Sequence, residues 1–253
     1  MRPWASTLAV IVLWQLIAAL ELLPPAVLPG PVTLLGTAAA MVADGSLPGA
    51  LVVSLARVLV GSAIGISLGL LLGLVAGLWR VGEDLVDRPV QMLRTIPFTA
   101  LTPLLILWFG LGEAPKIALV VIATVVPVYL NTFSGVRSVD PKLVEVATVY
   151  RLSPRQRAVR VLLPGALASV PVGLRYALGL AWIAVIVAET VNASAGVGHL
   201  LTTARTYGRT DIMIVCIVVY AALGLLTDAL VRLAEHRLLR WRAPARPAAT
   251  GRI

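Results

Sequence analysis

Apolar residues run through this chain in long stretches that short polar segments separate. The stretches predict six spans, at about residues 5–23, 51–79, 89–109, 117–133, 166–188 and 212–230. Their lengths are near the ~20 apolar residues that a helix needs to cross a bilayer. The pattern therefore predicts an all-α membrane protein with six transmembrane helices.

The first apolar stretch, Trp4 to Leu23, has two interpretations. Arg2 precedes it, as a basic residue precedes the apolar core of a secretory signal peptide. Such a core has only about 7–15 residues, so we interpret this longer stretch as a retained span. Prolines 24, 25, 29 and 31 then end the helix, and Thr33 to Val42 predicts a short helix on the membrane surface.

The second span carries a glycine at every fourth position, at residues 61, 65, 69, 73 and 77. That spacing places the glycines near one helix face, where a neighbouring helix can approach closely. Glycine is also common in membrane helices generally, which is the alternative explanation. We favour close packing against another span because all five positions are in register.

The third span follows a polar turn at residues 80–88 and contains Pro97 and Pro103. Prolines kink or break a helix and free carbonyl groups, which in lipid must be satisfied by protein or by a wet cavity. The span is therefore expected to be buried in the bundle. Polar side chains that are candidates for lining a pathway, and equally for ordinary inter-helix hydrogen bonds, are Thr95, Thr99, Thr102, Asn131, Tyr176 and Trp182.

Composition agrees with a membrane protein and excludes a soluble enzyme. Hydrophobic residues make up 59% and charged residues 13% of the chain, and the mean hydropathy is +0.94. The 21 Lys and Arg outnumber the 12 Asp and Glu. They concentrate at residues 135–165 and in the tail, so the positive-inside rule places that loop and both termini in the cytoplasm and argues against nucleic acid as the partner. Residues 241–253 predict a basic, disordered tail after a single domain at 1–240.

Two ionisable residues lie near the outer ends of spans, Arg57 in the second and Glu189 in the fifth. Three interpretations are open: the two form an intramembrane ion pair, Arg57 reaches the surface, or one of them contacts substrate. Asp228 and Arg232 predict a local helix pair. The spacing HExxH is absent, and the sequence predicts neither a metal site nor catalytic residues.

The basic loop at residues 135–165 contains two helix-start signals, Asp140-Pro141 and Ser153-Pro154. Each pairs a capping side chain with a proline suited to the first helical turn. The loop therefore predicts two short amphipathic helices that suit docking into a groove on a partner. An ordinary solvated loop, whose basic residues serve only topology, is the alternative.

This loop resembles the Glu-Ala-Ala loop of permease subunits of ATP-binding-cassette importers. Glu145-Val146-Ala147, then Arg151 at the usual glycine position, then Val161-Leu162-Leu163-Pro164 match its spacing. Arginine there leaves the geometry of the turn open, because glycine permits a left-handed backbone that costs arginine about 1 kcal/mol or more. Collinear segments over roughly residues 20–240, among them Arg94-Thr95-Ile96-Pro97 and Gly196-Val197-Gly198, resemble the nitrate, sulfonate and taurine branch.

The resemblance implies the permease fold of type I importers and the import of a small solute, such as nitrate, a sulfonate, taurine or a vitamin precursor. It also implies a second permease copy, ATPase subunits that use ATP and Mg²⁺, an extracytoplasmic solute-binding protein, and a place in bacterial plasma membrane lipid. This chain needs no cofactor of its own, and it contains no Gly-x-x-x-x-Gly-Lys-Ser/Thr phosphate loop. The resemblance assigns the ATPase contact to Asp140, Glu145, Ala147, Arg151 and Pro164. The alternative function is an ion-coupled secondary transporter, which would need coupling groups near the midplane and internal repeats.

Overall fold

A computed structural model describes residues 2–20, 22–24, 26–166 and 169–238 of the chain. Every regular element in those residues is helical. The helices are α1 (Arg2–Ala19), α2 (Pro31–Ala43), α3 (Ser46–Leu78), α4 (Arg80–Thr95), α5 (Thr102–Phe109), α6 (Glu113–Arg137), α7 (Pro141–Val149), α8 (Pro154–Arg157), α9 (Leu163–Ala166), α10 (Val170–Asn192), α11 (Val197–Thr206) and α12 (Thr210–Leu238). A 3₁₀ turn at Phe98–Leu101 precedes α5, and a π turn at Ala158–Leu162 joins α8 to α9. The tail predicted at 241–253 lies outside the described residues.

Four helices are long and apolar enough to cross a membrane: α3, α6, α10 and α12. The segments on either side of Ile96-Pro97 form a fifth candidate span, bent by 90°. Among the described residues, α1 occupies the position of the sixth predicted span but is not one of these candidate spans. The short helix predicted at Thr33 to Val42 is confirmed as α2.

The polar turn predicted at residues 80–88 is wrong, because this segment is the first half of α4. The charged residues lie on one face of an amphipathic helix, and two of them have partners on α6. Glu83 pairs with Arg137, and Asp87 accepts a hydrogen bond of 2.9 Å from the Tyr129 hydroxyl. The segment lacks an apolar run, which suggested a turn. Its charged residues nevertheless repeat at helical spacing, which indicates an amphipathic helix.

The close packing predicted for the second span is confirmed in the contact between α3 and α6. Glycines 61, 65, 69, 73 and 77 lie against residues 120, 124, 128, 132 and 136, which also recur at every fourth position. A Cβ at Gly69 would lie 2.7 Å from the carbonyl oxygen of Val125 and 2.8 Å from Cβ of Val128. Because the glycines of α3 have no side chains, they leave room for the β-branched side chains of α6 along the whole contact.

The bent segment from α4 to α5 traverses the full length of α6. It begins beside Arg137 at the end of α6, since Glu83 pairs there, and it ends at Gly110, just before α6 begins at Glu113. The chain leaves helical geometry at Ile96, which is extended because it precedes Pro97. The break thus falls about halfway along the bundle.

The remaining helices close the bundle around α6. Helix α10 packs between α6 and α12 through fully buried small residues, including Ala177, Ala181 and Ala184. Helix α2 packs on α12 and α3, where the Thr37 hydroxyl donates a hydrogen bond of 3.0 Å to Asp211. One end of the bundle therefore gathers the starts of α6 and α12, the end of α10, and α11.

Candidate functional site

Arg57 on α3 and Glu189 on α10 form an ion pair inside the bundle. Nη1 of Arg57 donates to Oε1 of Glu189 at 2.8 Å. Arg57 is 4% exposed and Glu189 1% exposed, so Arg57 does not reach the surface. The structure therefore contains the ion pair, which is one of the three interpretations that the sequence left open.

A second carboxylate, Glu113 at the start of α6, completes the surroundings of Arg57. Its two oxygens accept hydrogen bonds of 2.6 Å from Nε and 2.7 Å from Nη2 of the guanidinium. Lys116 donates to Glu113 at 3.2 Å and to the carbonyl oxygen of Gly112 at 2.8 Å. Two cations and two carboxylates thus balance, and Arg57 has no charge to offer an anionic substrate.

Glu189 is satisfied on its remaining sides by neutral donors. The Ser54 hydroxyl lies 2.8 Å from Oε1, while Oε2 accepts hydrogen bonds from the Gly198 amide at 2.8 Å and the Tyr220 hydroxyl at 3.1 Å. A Cβ at Gly196, whose φ is 115°, would come within 2.5 Å of this carboxylate. A buried charge is tolerated when it is both paired and fully hydrogen-bonded, as here. The cluster ties α3, α6, α10, α11 and α12 together at one end of the bundle.

The basic loop folds as two short helices with a defined turn between them. The Asp140 side chain caps α7 by accepting from the amide of Lys142 at 2.9 Å. At the other end, the amide of Leu152 donates to the carbonyl of Ala147 at 3.0 Å and that of Arg151 to the carbonyl of Thr148 at 2.9 Å. These two bonds define a Schellman motif, whose C′ residue is normally left-handed. Arg151 adopts that conformation with φ 53°, so the arginine keeps the turn that glycine would make.

The second helix begins with a complete capping box between Ser153 and Gln156. It continues through the π turn into α9, which contains Pro164. Proline has no amide to donate back along the helix, and the wider turn lies directly before it. Residues 154–166 therefore form one irregular helical rod that leads back towards α10.

Helix α7 has a buried side and an exposed apolar side. Ala147 is 3% exposed and faces the bundle. Glu145 and Pro141 line a cleft of about 470 Å³, together with Arg80 and Arg137. The exposed residues include the large apolar side chains Leu143, Val146, Val149 and Tyr150, beside the polar Lys142 and Thr148. An outward apolar face on a helix that is capped at both ends suits contact with another protein.

The six polar candidates for a pathway do not converge on one cavity. Thr102 and Trp182 are buried, and Trp182 donates a hydrogen bond of 3.0 Å to Thr227 on α12. Asn131 is half-buried and donates to the carbonyl of Pro127 at 2.9 Å. Thr95, Thr99 and Tyr176 are exposed on the surface of this single chain.

Residues 65–240 match the model of a protein family described as the inner membrane component of binding-protein-dependent transport systems. The chain belongs to this family. It is accordingly a multi-pass inner-membrane permease of an ATP-binding-cassette transporter, and the ATPase of such a transporter is a separate subunit.

The permease has curated relatives over most of its length. It is 46% identical over 239 residues to the putative aliphatic sulfonates transport permease protein SsuC of Escherichia coli strain K12, covering 94% of this chain and 91% of the relative. It is 42% identical to the protein of the same description from Bacillus subtilis strain 168, covering 92% of this chain and 84% of the relative. It is 32% identical to the taurine transport system permease protein TauC of Escherichia coli strain K12, covering 93% of this chain and 88% of the relative.

Solved transporters share the fold. A crystal structure of an amino acid ABC transporter with histidines superposes with a TM-score of 0.63 at 19% identity, covering 74% of this chain and 92% of that one. An inward-facing methionine ABC transporter, MetNI, gives a TM-score of 0.62 at 20% identity with the same coverage of both chains.

Sequence reasoning missed several partners in the charged clusters of the permease. Glu113 was not proposed as a partner of Arg57, although Lys116 three residues later is spaced to pair with it on a helix. Asp228 does pair with Arg232, at 2.8 Å, but Arg175 on α10 also reaches Asp228 at 3.3 Å and Glu235 at 2.6 Å. Ser54 and Tyr220 carry no sequence signal for their contacts, because only the packing of α3 and α12 brings them to Glu189.

Proposed function

We propose that this permease imports a small aliphatic sulfonate, with two identical copies forming the translocation pathway. A solute-binding protein delivers the substrate at the outer face, and separate ATPase subunits hydrolyse ATP with Mg²⁺ at the cytoplasmic face. The observation that carries the proposal is the 46% identity over 94% of the chain to a relative described as an aliphatic sulfonate permease. The relative described as a taurine permease is 32% identical, which favours sulfonates that lack an ammonium group.

The ATPase contact is proposed at residues 140–164, with α7 as the docking helix. The support is the combination of an exposed apolar face with a rigid frame: Asp140 caps one end, and the left-handed Arg151 closes the other. Moving a two-state bundle from mostly one state to mostly the other requires about 5.5 kcal/mol of differential binding. A helix that is fixed at both ends can transmit such a bias, whereas a mobile loop would absorb it.

We further propose six spans with both termini in the cytoplasm. Five crossings follow if α3, the bent α4–α5 segment, α6, α10 and α12 each traverse the bilayer, and α1 supplies the sixth. The distribution of arginines supports the orientation, since Arg137, Arg151, Arg155, Arg157 and Arg160 then share the cytoplasmic face with the tail. The Arg57 cluster falls at the outer face in this arrangement.

The experiment is ATP-driven uptake by the complete transporter in proteoliposomes. The permease is reconstituted with its ATPase and its binding protein, and the accumulation of a labelled alkanesulfonate is compared with that of taurine and nitrate. We expect uptake of the alkanesulfonate that depends on both partners and on ATP. Uptake of nitrate or taurine in preference to alkanesulfonates would overturn the substrate assignment.

A paired substitution tests the docking helix in the same assay. Val146→Asp places a charge in the middle of the exposed apolar face of α7, where Val146 is 51% exposed. Val81→Asp is the matched control, because Val81 is 69% exposed on α4 and lies outside the loop. We expect Val146→Asp to abolish both uptake and the ATP hydrolysis that the loaded binding protein stimulates, while Val81→Asp keeps both. Unchanged stimulation in Val146→Asp would place the ATPase contact elsewhere.

A further inference from the structure

The break between α4 and α5 opens onto a cavity at the middle of the bundle. The cavity has a volume of about 240 Å³, and Arg94 is the one charged residue in its lining. Its walls are apolar and come from three elements: Phe98 beside the break, Ile122, Val126 and Leu130 on α6, and Leu180 on α10. Residues 122–130 surround the midpoint of α6, which runs from Glu113 to Arg137. The cavity therefore lies about halfway along a helix that crosses the membrane.

Arg94 is exposed on the surface of this single chain and, unlike the buried cations Arg57 and Lys116, it has no counter-charge among the described residues. In the part of the chain that the structure describes, the carboxylates that form ion pairs do so with Arg57, Lys116, Arg137, Arg175, Arg209 and Arg232, and no carboxylate lies within ion-pair distance of Arg94. An ionisable side chain at this depth is costly in lipid and marks a functional site when it faces a wet cavity.

The surface around Arg94 is unsuited to lipid contact. Thr95 and Thr99 are exposed beside it, and the backbone at Ile96 and Pro97 is extended. Irregular backbone at membrane depth is tolerated only where it is covered by protein or lines a water-filled space. Broken helices at the bilayer midplane are also where transporters place their substrate sites. The side of the bundle that carries Arg94 is therefore the side that faces the pathway.

We propose that Arg94 and this cavity form a transient subsite for an aliphatic sulfonate during its passage through the permease. The guanidinium donates hydrogen bonds to the sulfonate oxygens, and the alkyl chain lies among Phe98, Ile122, Val126 and Leu180. This inference rests on the proposed function and adds the residues that would select the substrate class within the membrane.

Charge and size fit this ligand. The sulfonate supplies the anionic partner that Arg94 does not find within the chain. Charge-assisted hydrogen bonds are the strongest that arginine makes. The cavity volume of about 240 Å³ suits a short alkyl chain. An ammonium group such as that of taurine would have to leave water for this apolar wall beside a like charge, so the subsite discriminates against it.

The test measures maximal uptake at saturating binding protein and the ratio of sulfonate transported to ATP hydrolysed, in proteoliposomes that contain the complete transporter. Arg94→Gln removes the charge, Arg94→Lys keeps it, and Arg88→Gln is the matched control on the same helix, exposed and outside the cavity. We expect Arg94→Gln to lower the uptake of every alkanesulfonate at least about tenfold while ATP hydrolysis continues. Arg94→Lys should recover part of the loss, and Arg88→Gln should behave as the unsubstituted protein.

Chain length supplies an independent measurement. Val126→Phe and, separately, Leu180→Phe reduce the cavity while keeping its apolar character. We expect both substitutions to lower uptake of hexanesulfonate by several-fold relative to uptake of methanesulfonate. If Arg94→Gln fails to assemble, this ratio of uptake tests the subsite on its own. Equal effects on all chain lengths, or an Arg94→Gln transporter that matches Arg88→Gln, would overturn the subsite alone. Failure of the unsubstituted transporter to carry any alkanesulfonate would overturn the proposed function, and the subsite with it.

Discussion

At the scale of single residues, the Arg57 guanidinium holds together parts of the chain that are far apart in sequence. Its Nη1 donates to Glu189 and to the carbonyl oxygen of Ala195, at 2.7 Å in the second case, while Nε and Nη2 are bound by Glu113. Only an arginine presents donors in this fork, because the ammonium of lysine is a single compact centre. The geometry is thus specific for arginine, and the stability of this end of the bundle depends on it.

Arg57→Met should destabilise the permease strongly, because it leaves the Glu189 carboxylate buried without a cation. Breaking a buried ion pair from one side costs about 3–5 kcal/mol. Arg232→Met is the matched control, since Arg232 is 62% exposed in its pair with Asp228 and should contribute at most about 1 kcal/mol. The thermal unfolding midpoint of the purified protein in detergent measures both variants.

The double variant Arg57→Met with Glu189→Gln separates loss of the pair from loss of packing. Removing the buried charge as well should restore part of the stability that Arg57→Met loses, because the neutral amide has a much smaller cost of burial. A single variant no less stable than Arg232→Met would show that water reaches Glu189 and that the cluster is not buried in the membrane protein.

The sequence offered the Arg57–Glu189 pair as one of three interpretations, because isolated charges in apolar spans have few partners at equal depth. It missed Glu113 because a glutamate beside Gly112 looks like part of a solvated turn. Arg94 was quoted only as part of a family motif, since the cavity beside it forms from α6 and α10 and has no local pattern. The role of a residue could therefore be predicted where a charge stands alone in an apolar span. It could not be predicted where helices that are distant in sequence create the surroundings of the residue.

At the scale of elements, the contact between α3 and α6 is set by the absence of side chains on α3. Each of the five glycines lies against a β-branched residue of α6. A single Cβ at the glycine position would clash with that residue. Packing in membranes depends on such close approach, because lipid tails are as apolar as the side chains that they would replace. The glycine pattern made this contact predictable, although the identity of the partner helix was not.

Gly69→Ala should weaken the permease, because the new Cβ would meet the Val125 carbonyl at 2.7 Å and Val128 at 2.8 Å. Overpacking of this kind costs about 1–3 kcal/mol. Gly49→Ala is the control on the same helix, where a Cβ meets nothing within 4 Å. Its effect should be neutral or favourable by up to about 1 kcal/mol, since alanine is the better helix former. Equal unfolding midpoints for the two variants in detergent would contradict the packing described for α3 and α6.

Irregular elements were the least predictable part of the fold. The helix starts at Asp140 and Ser153 follow from capping chemistry, and the structure has both. The π turn before Pro164 and the left-handed backbone at Arg151 have no signal of their own, because the same residues suit an ordinary helix. Arg151 adopts a backbone that favours glycine because the hydrogen bonds of the Schellman motif fix it from both sides.

At the scale of the whole molecule, the two charged ends of the bundle are built differently. At the end that carries Arg57, the cations Arg57, Lys116 and Arg209 pair with carboxylates of the chain, whereas the end that carries residues 137–160 keeps most of its arginines exposed. This asymmetry supports the orientation that we propose from the positive-inside rule. In that orientation the α7 face and the Arg57 cluster lie on opposite sides of the membrane, with Arg94 between them.

Two exposed tyrosines provide a matched test of that orientation. Tyr150 at the end of α7 and Tyr207 after α11 are each 77% exposed, so cysteines at these positions should be equally reactive towards thiol reagents that reach them. Cys216, the one native cysteine, is fully buried in the fold and is replaced by serine to remove its background. In intact cells we expect a membrane-impermeant maleimide to label Tyr207→Cys and to leave Tyr150→Cys unlabelled until the membrane is permeabilised. The reverse pattern would invert the orientation and place α7 outside, where no ATPase could dock. Labelling of both cysteines in intact cells would mean that both positions lie at the outer face and that α10 does not cross the membrane between them.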